Sequence, residues 1–289
     1  MPGYLPPYKT FCARGEKPIV QDEDANAVRR LNQFTGPFIL RRMKSEVLRE
    51  LPPKTENVRR VELETEQRKL YLAAVVDARE KLRAAKPEDK MTVFAVLMRL
   101  REICCDPRLV ADNWTGSSAK LEACLELVTE AVAGGHRILL FSQFTSMLEL
   151  LAKRLDEAGV SHFTLQGSTP KPVRAEQVRR FNQGEADVFL ISLRAGGTGL
   201  NLTAADIVIH YDPWWNLAAQ NQATDRAYRI GQRNPVQVYR LIAQDTIEEK
   251  IVELQQAKQS LADTVTGGAD GAILSMNPEQ LLQLLGEEA

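Results

Sequence analysis

Five short apolar segments constrain the fold of this chain more than any other feature of its sequence. They are too short for helices and rich in β-branched and aromatic residues, which predicts strands; they span residues 137–143, 162–166, 188–193, 207–211 and 236–242. Helical patterns separate them at residues 147–158 and 173–182, and another precedes the first strand at 120–133. Strands and helices that alternate at this spacing predict βαβ units, and therefore an α/β fold with a parallel sheet flanked by helices.

Polar or glycine-rich segments follow three of the predicted strands. Ser142 and Gln143 end the first strand, residues 167–169 follow the second, and residues 194–199 follow the third. Because parallel sheets bind ligands at the carboxyl ends of their strands, we expect these segments to meet at one edge. Three glycines between residues 196 and 199 would let the backbone approach a ligand closely,. Backbone N–H groups there, with the Thr198 hydroxyl, suit a phosphate.

Two arginines follow the strand at 207–211. A helix predicted over residues 217–230 would place Gln222, Arg226 and Arg229 on one face, beside an apolar stripe that ends at Ile230,. A guanidinium is permanently charged and binds oxyanions through two parallel hydrogen bonds, so such a pair suits a polyphosphate. The alternative is an ordinary solvated helix face, because exposed arginine is common.

Composition excludes several classes of protein. A net charge of −1 gives no overall nucleic-acid signature, so any DNA contact must come from local patches,. The four cysteines, which include the adjacent Cys104 and Cys105, show no CxxC spacing and predict neither a zinc site nor a disulfide framework,. No GxxxxGK[S/T] phosphate-binding loop occurs in the chain,. No signal peptide and no apolar run of about 18 residues occurs, which predicts a cytoplasmic protein without a membrane partner.

Two of these segments resemble known motifs. The sequence SLRAGGTGLNL at residues 192–202 and the sequence QATDRAYRIGQ at 222–232 resemble motifs V and VI of the Swi/Snf-type ATPases of helicase superfamily 2. The RIGQ ending separates this family from other members of the superfamily, whose motif VI usually ends in a Gly-Arg pattern. The resemblance extends over residues 2–261. It implies the C-terminal half of a bacterial-looking ATPase: a second RecA-like lobe with an N-terminal helical protrusion and a C-terminal brace helix.

The resemblance also implies a domain division. Residues 1–62 would be the tail of a missing first lobe, with part of its helical protrusion and a linker. Residues 63–115 would be the helical protrusion of the second lobe, 116–243 the RecA-like lobe itself, and 244–289 the brace helix and C-terminal tail. A strand predicted at 56–63 would return to the missing lobe, so we expect residues 1–60 to pack imperfectly.

The function that the resemblance implies is ATP-dependent translocation on double-stranded DNA, with localisation at the nucleoid if the source is bacterial. Arg226 and Arg229 would be catalytic arginine fingers. Residues on the nucleotide side would be Gly197, Gly199, Asn201, Gln222, Arg226 and Arg229. The DNA backbone would be held by Ser142, Gln143, Gly167, Ser168, Thr169, Arg194, Ala195, Gly196 and Thr198. The first lobe would hold most of the ATP and Mg²⁺, so the isolated fragment would be inactive.

Trp214, Trp215 and Asn216 are the remaining candidates. Exposed tryptophans can stack on bases, but a packed anchor that couples this loop to motif VI fits the usual burial of tryptophan better. Two alternative functions stay open: a strand-separating helicase lobe of the same superfamily, and a non-enzymatic module that binds nucleic acid or a partner protein.

Overall fold

The computed structural model describes residues 10, 25–35, 51–193, 195, 199–262 and 276–286 of the chain. Residues 1–50 belong to a unit distinct from the one that begins at Leu51. In the first unit, helix α1 spans Ala25–Thr35. Most of the region in which we placed the tail of a first lobe lies outside the described residues.

Six strands and eight helices follow in the described part of the second unit. The strands β1 to β6 span Lys54–Val61, Ile138–Ser142, His162–Leu165, Val188–Ser192, Ile207–His210 and Val236–Ala243. The helices α2 to α9 span Thr65–Ala84, Lys90–Cys105, Ala119–Ala133, Thr145–Glu157, Lys171–Asn182, Leu217–Thr224, Ile247–Ala262 and Pro278–Leu284.

The strands form one sheet in the order β1-β6-β5-β2-β4-β3, and every pairing is parallel. Strand β2 lies between β4 and β5, where Ile138 pairs with both Val188 and Ile207. All five residues of β2 are buried, as are all five of β4. This explains the continuous apolar runs in the sequence, because a central parallel strand is covered on both faces. The predicted α/β class is confirmed.

Strand β1 corrects one expectation. We expected this segment to return to a missing lobe, but it pairs with β6 over its whole length, from Lys54 opposite Val236 to Val61 opposite Ala243. Side-chain contacts also hold β1, since Arg240 of β6 donates to Glu56, and Arg60 donates to Glu249 of α8 at 3.1 Å. The sequence pattern could not reveal this partner, because a short strand carries no information about which edge it will join.

Two hydrophobic clusters cover the two faces of the sheet. Helices α4 and α5 pack on one face, where Ile138 and Leu140 of β2 meet Leu121 and Leu148. The alternate residues of β2 face the other cluster, which includes Phe181 of α6. The alternation follows from the two-residue period of a strand.

A third hydrophobic cluster packs helices α2 and α3, the predicted protrusion, against helices α8 and α9. It contains buried side chains from α2, α3, α8 and α9, among them Leu97, Ile251 and Leu281. The Tyr71 hydroxyl accepts a hydrogen bond from the backbone N–H of Ile247 at 2.7 Å, which holds the start of α8 against α2. The predicted brace helix therefore contacts the protrusion directly.

Candidate nucleotide and DNA interface

The ends of β2 and β5 are joined by one buried carboxylate, that of Asp212. Its Oδ1 accepts hydrogen bonds from the Ser142 hydroxyl at 2.6 Å and from the Gln143 backbone N–H at 3.2 Å. Burial raises the pKa of Asp212, while Arg101 and the Ser142 hydrogen bond oppose the rise. Ser142 is fully buried, so its side chain does not lie where we predicted a DNA contact. It fixes the neighbouring loop instead.

The segments after β2 and β3 differ in exposure. Gln143 is half-buried, and its backbone is held by Asp212. Gly167 and Ser168 are exposed. The turn that carries them is closed by Thr169, whose hydroxyl accepts a hydrogen bond from the Gln166 N–H at 3.0 Å. This exposed turn is suited to backbone contacts with a nucleic acid, and the DNA contact itself stays a prediction.

The loop after β4 is described only in part, because Arg194, Gly196, Gly197 and Thr198 lie outside the described residues. The Ala195 side chain is buried. Gly199 is exposed and has a φ of 23°, in the region that favours glycine,. Asn201 is exposed as well, and its carbonyl accepts a hydrogen bond from the Asn182 side chain at 2.8 Å.

The arginine segment is not helical. Helix α7 ends at Thr224, and residues 225–231 form turns and bends, so the predicted helix over 217–230 was too long. The apolar stripe was also wrong at its end, since Ile230 is 70% exposed. Gln222 is exposed on α7, away from the buried surface of that helix. Gln222, Arg226 and Arg229 therefore do not share one face of a helix.

The two arginines differ in burial. Arg226 is only 6% exposed, whereas Arg229 is exposed. Burial lowers the pKa of Arg226, the positive charge of Arg229 lowers it further, and the Asp225 carboxylate opposes the shift. Among the described residues, Arg226 forms no ion pair, and its buried Nε atom has no hydrogen-bond partner. The fold thus holds a partly desolvated guanidinium beside a second cation.

Backbone contacts hold this segment against the loop after β4. The Leu202 N–H donates to the Arg226 carbonyl at 3.0 Å. Gln232, which is buried, donates through Nε2 to the Ala205 carbonyl at 2.7 Å and to the Ala227 carbonyl at 3.2 Å. We had used Gln232 only to recognise the family. A glutamine that ends a turn-rich segment just before a buried strand was the available signal for this bridging role.

The tryptophan loop packs on the protrusion. Trp214 and Trp215 are both half-buried, with ring centroids 5.5 Å apart, and Trp215 also approaches Phe94 of α3 at 6.2 Å. Asn216 caps α7, because its Oδ1 accepts a hydrogen bond from the Ala219 N–H at 2.9 Å. The packed arrangement is the one expected of an anchor, and the coupling to the arginine segment stays a prediction.

Arg101 is the main residue that our sequence reasoning missed. It lies on α3, is fully buried, and forms an ion pair with Asp212 at 3.3 Å. Its guanidinium also donates to the Pro213 carbonyl and lies 4.1 Å from the centre of the Trp215 ring. The sequence signal was weak, because Arg101 stands beside Arg99 and Glu102 in a largely apolar helical pattern.

The sequence predicted no zinc site, no disulfide framework and no membrane-spanning segment. In the described ranges, no group of three or more potential ligand side chains is arranged to hold a metal ion. Cys104, Cys105 and Cys124 are free and buried, and burial raises the pKa of each thiol. No helix in the described part of the chain is long and apolar enough to span a bilayer.

Comparison with protein families gives two matches that together cover most of the chain. Residues 1–109 match the family described as SNF2-related domain. Residues 119–231, which include strands β2 to β5 and the arginine segment, match the family described as helicase conserved C-terminal domain.

Individual relatives and a solved structure agree with these matches. An uncharacterized ATP-dependent helicase of Mycoplasma pneumoniae is 38% identical over 98% of this chain and 27% of its own length. A putative ATP-dependent helicase/translocase of Bacillus subtilis, YwqA, is 38% identical over 98% of this chain and 32% of its own. The chain thus spans about a third or less of these relatives. The Sulfolobus solfataricus SWI2/SNF2 ATPase core, solved in complex with dsDNA, is 30% identical, with a TM-score of 0.69 over all of this chain and 62% of that one.

Proposed function

Because this chain belongs to the Swi/Snf-type ATPases of helicase superfamily 2, we propose that it forms the second motor lobe of an ATP-dependent translocase on double-stranded DNA. The first RecA-like lobe of the same protein would be its partner. That lobe would hold ATP and Mg²⁺, and this chain would close over the nucleotide.

The observation that carries the proposal is the state of Arg226. A buried guanidinium normally has a carboxylate or carbonyl partner, because desolvating an uncompensated charge is costly. For Arg226, burial and the positive charge of Arg229 lower the pKa, and the Asp225 carboxylate opposes this shift without reversing it. Its backbone carbonyl accepts a hydrogen bond from the Leu202 N–H. An arginine that the fold positions without fully neutralising suits an external anion, and triphosphate is the anion that this family uses.

Arg226 and Arg229 would act as arginine fingers. Their charge would compensate the negative charge that develops on the transferred phosphoryl group, an effect worth on the order of 10³ to 10⁵ in rate in related NTPases. Gln222, Asn201 and the glycines Gly197 and Gly199 would line the nucleotide side of the lobe.

DNA would contact the same edge of the sheet. The exposed turn at Gly167, Ser168 and Thr169 and the backbone of Gln143 would hold one strand, together with Arg194, Ala195, Gly196 and Thr198. Such backbone contacts position a protein on a duplex without reading sequence. Ser142 would support Gln143 through Asp212 rather than touch DNA. Trp214, Trp215 and Asn216 would couple this DNA side to the arginine segment.

The proposal is tested by ATP hydrolysis in the full-length protein, with and without duplex DNA. We expect duplex DNA to stimulate the wild type, and Arg229→Ala to retain DNA binding while losing turnover. Normal hydrolysis by Arg229→Ala would remove the arginine-finger assignment. Stimulation accompanied by strand separation on a forked duplex would favour the helicase alternative.

The isolated 289-residue chain provides the second arm of this test. We expect it to have no turnover above background, because the attacking water and its base would belong to the first lobe. Turnover that the isolated chain loses on Arg226→Ala would contradict the two-lobe proposal. DNA binding without turnover by the full-length protein would instead indicate a non-enzymatic module.

A further inference from the structure

Arg101 lies where three parts of the molecule meet. It is carried by α3 of the protrusion, and its Nη2 atom reaches the Asp212 carboxylate at 3.3 Å and the Pro213 carbonyl. Its guanidinium lies between two aromatic rings, 4.1 Å from the Trp215 centroid and 5.6 Å from that of Phe144. Phe144 lies between β2 and α5, directly before the helix, and Trp215 lies in the loop after β5.

The contacts of Asp212 extend this junction to the predicted DNA side. The same carboxylate that pairs with Arg101 accepts hydrogen bonds from Ser142 and from the Gln143 N–H. A shift of the carboxylate would therefore move the backbone of Gln143, which we propose holds DNA.

The contacts of the tryptophan loop extend the junction to the arginine segment. Pro213 precedes the two tryptophans, and the Trp214 N–H donates to the Gln220 side chain of α7 at 3.3 Å. Asn216 caps the same helix. Helix α7 ends at Thr224, two residues before Arg226. The loop that Arg101 grips thus sets the start of the helix that leads to the arginines.

Stability alone does not account for such a residue. Replacing a buried ion pair with apolar side chains of similar volume is often neutral or stabilising, so a buried pair is weak evidence for stability. The planar guanidinium does fix geometry, because its fork and its stacking face constrain position and orientation together.

We infer that Arg101 is a positioning residue that transmits DNA binding at the Gln143 loop to the arginine segment through Asp212, Pro213 and Trp215. The inference rests on the proposed function. It assigns to the protrusion a direct part in coupling DNA to ATP turnover, through one side chain that touches neither ligand.

The test compares Arg101→Met with Lys120→Met in the full-length protein. Lys120 provides a matched control because it is also fully buried, pairs with a buried carboxylate, Glu248, and lies near an aromatic ring, 5.5 Å from the Tyr211 centroid. Its ion pair joins α4 to α8 and does not include Asp212. Arg101→Lys provides a milder variant, which keeps the charge and loses the planar fork.

The measured quantity is the ratio of DNA-saturated to DNA-free turnover. We expect Arg101→Met to lower this ratio about tenfold, within the usual range of coupling between sites, and Arg101→Lys to lower it less. Lys120→Met should keep the wild-type ratio. A ratio that Arg101→Met leaves unchanged, or that Lys120→Met lowers equally, would overturn the inference.

Hydrogen exchange gives a readout that does not depend on turnover. In the folded Arg101 variants, amides at 143–145 and at 214–219 should exchange faster together, whereas Lys120→Met should leave both segments protected. Unchanged protection in Arg101→Lys and Arg101→Met would contradict the inference. A wild type that hydrolyses ATP without any response to DNA would overturn the proposed function itself, and the inference with it.

Discussion

Two buried arginines of this lobe have opposite surroundings. Arg101 is fully buried and lies beside a carboxylate, a carbonyl and two aromatic rings. Arg226 is almost as deeply buried, but the larger charge effect on its pKa comes from another arginine, Arg229, and the Asp225 carboxylate has a smaller, opposite effect. Both side chains keep nitrogen atoms without hydrogen bonds in the described residues, so hydrogen-bond counts do not separate them. Their counter-charges do.

This difference indicates separate roles: Arg101 holds parts of the fold together, and Arg226 is placed to bind a ligand. The charge of Arg101 is compensated within the fold, so this side chain can act as a fixed joint between loops. The charge of Arg226 is compensated only in part, because Asp225 opposes but does not reverse the lowering of its pKa. This charge therefore stays available to a ligand anion. Under the proposed function, the lobe both transmits a movement and contacts a nucleotide, so it needs one arginine of each kind.

The largest expected effect is on turnover at Arg226. In the full-length protein, Arg226→Gln should lower the DNA-stimulated ATPase rate by about 10³-fold, because an amide cannot supply the lost positive charge. The melting temperature should stay the same or rise, since the change removes a desolvated charge beside a like charge. A thermal melt of the same variant would accompany the rate measurement. A lower melting temperature would show that Arg226 stabilises the fold, which would contradict the contrast with Arg101.

The next effect is on stability at the compensated arginine. Asp212→Ala in the 289-residue chain should lower the free energy of unfolding by about 3–5 kcal/mol, because Arg101 would remain buried without its partner. Asp156→Ala is the control, since this side chain is 76% exposed and its loss should cost under about 0.5 kcal/mol. Equal urea midpoints for the two variants would show that Arg101 does not depend on Asp212.

A pH titration extends the comparison to His210, a buried group that, unlike arginine, can lose its charge. Burial, together with smaller effects of the positive charges of Arg240 and Lys54, lowers the pKa of His210 from 6.5 to about 3. Between these values the unfolded chain binds a proton that the folded chain does not. Stability from this site is therefore complete above about pH 6.5 and falls as the pH falls, by up to about 1.4 kcal/mol per unit.

Urea unfolding between pH 7 and pH 5 would measure this slope. The variant His210→Gln should show a shallower loss of stability on acidification than the wild type, because glutamine does not titrate. Parallel curves for the two proteins would mean that His210 does not stay neutral in the folded state.

The smallest expected effect is on stability at Asn216, which caps helix α7. Asn216→Ala should lower the free energy of unfolding by about 1 kcal/mol, because the Ala219 N–H would lose its acceptor,. Asn216→Asp should preserve stability, since aspartate caps helices equally well. Denaturant unfolding of the 289-residue chain would distinguish them, and equal losses in both variants would argue against a capping role.

Local patterns in the sequence determined the elements of the fold. Apolar runs located β2 to β6 within a residue or two, and the helical periodicity located α4, α5 and α6 equally well. The physical reason is that burial on both faces of a parallel sheet forces continuous apolar residues at each strand. The loops at the carboxyl ends, and the motifs that they carry, followed from the same pattern.

Local patterns failed where tertiary contacts outweighed them. The helical spacing of Gln222, Arg226 and Arg229 extended α7 too far, because Leu202 and Gln232 hold the chain in turns after Thr224. The family resemblance placed Ser142 against DNA, whereas its hydroxyl donates to the buried Asp212 carboxylate.

The sequence by itself determined the α/β class, the order of strands along the chain and the residue types available at the sheet edge. Only the tertiary structure decided that β1 closes one edge of the sheet, that Arg101 reaches Asp212 across 111 positions, and that Arg226 is buried while Arg229 is not. These outcomes depend on which distant surfaces meet. Propensity and periodicity record the environment that each residue requires, but not the partner that provides it.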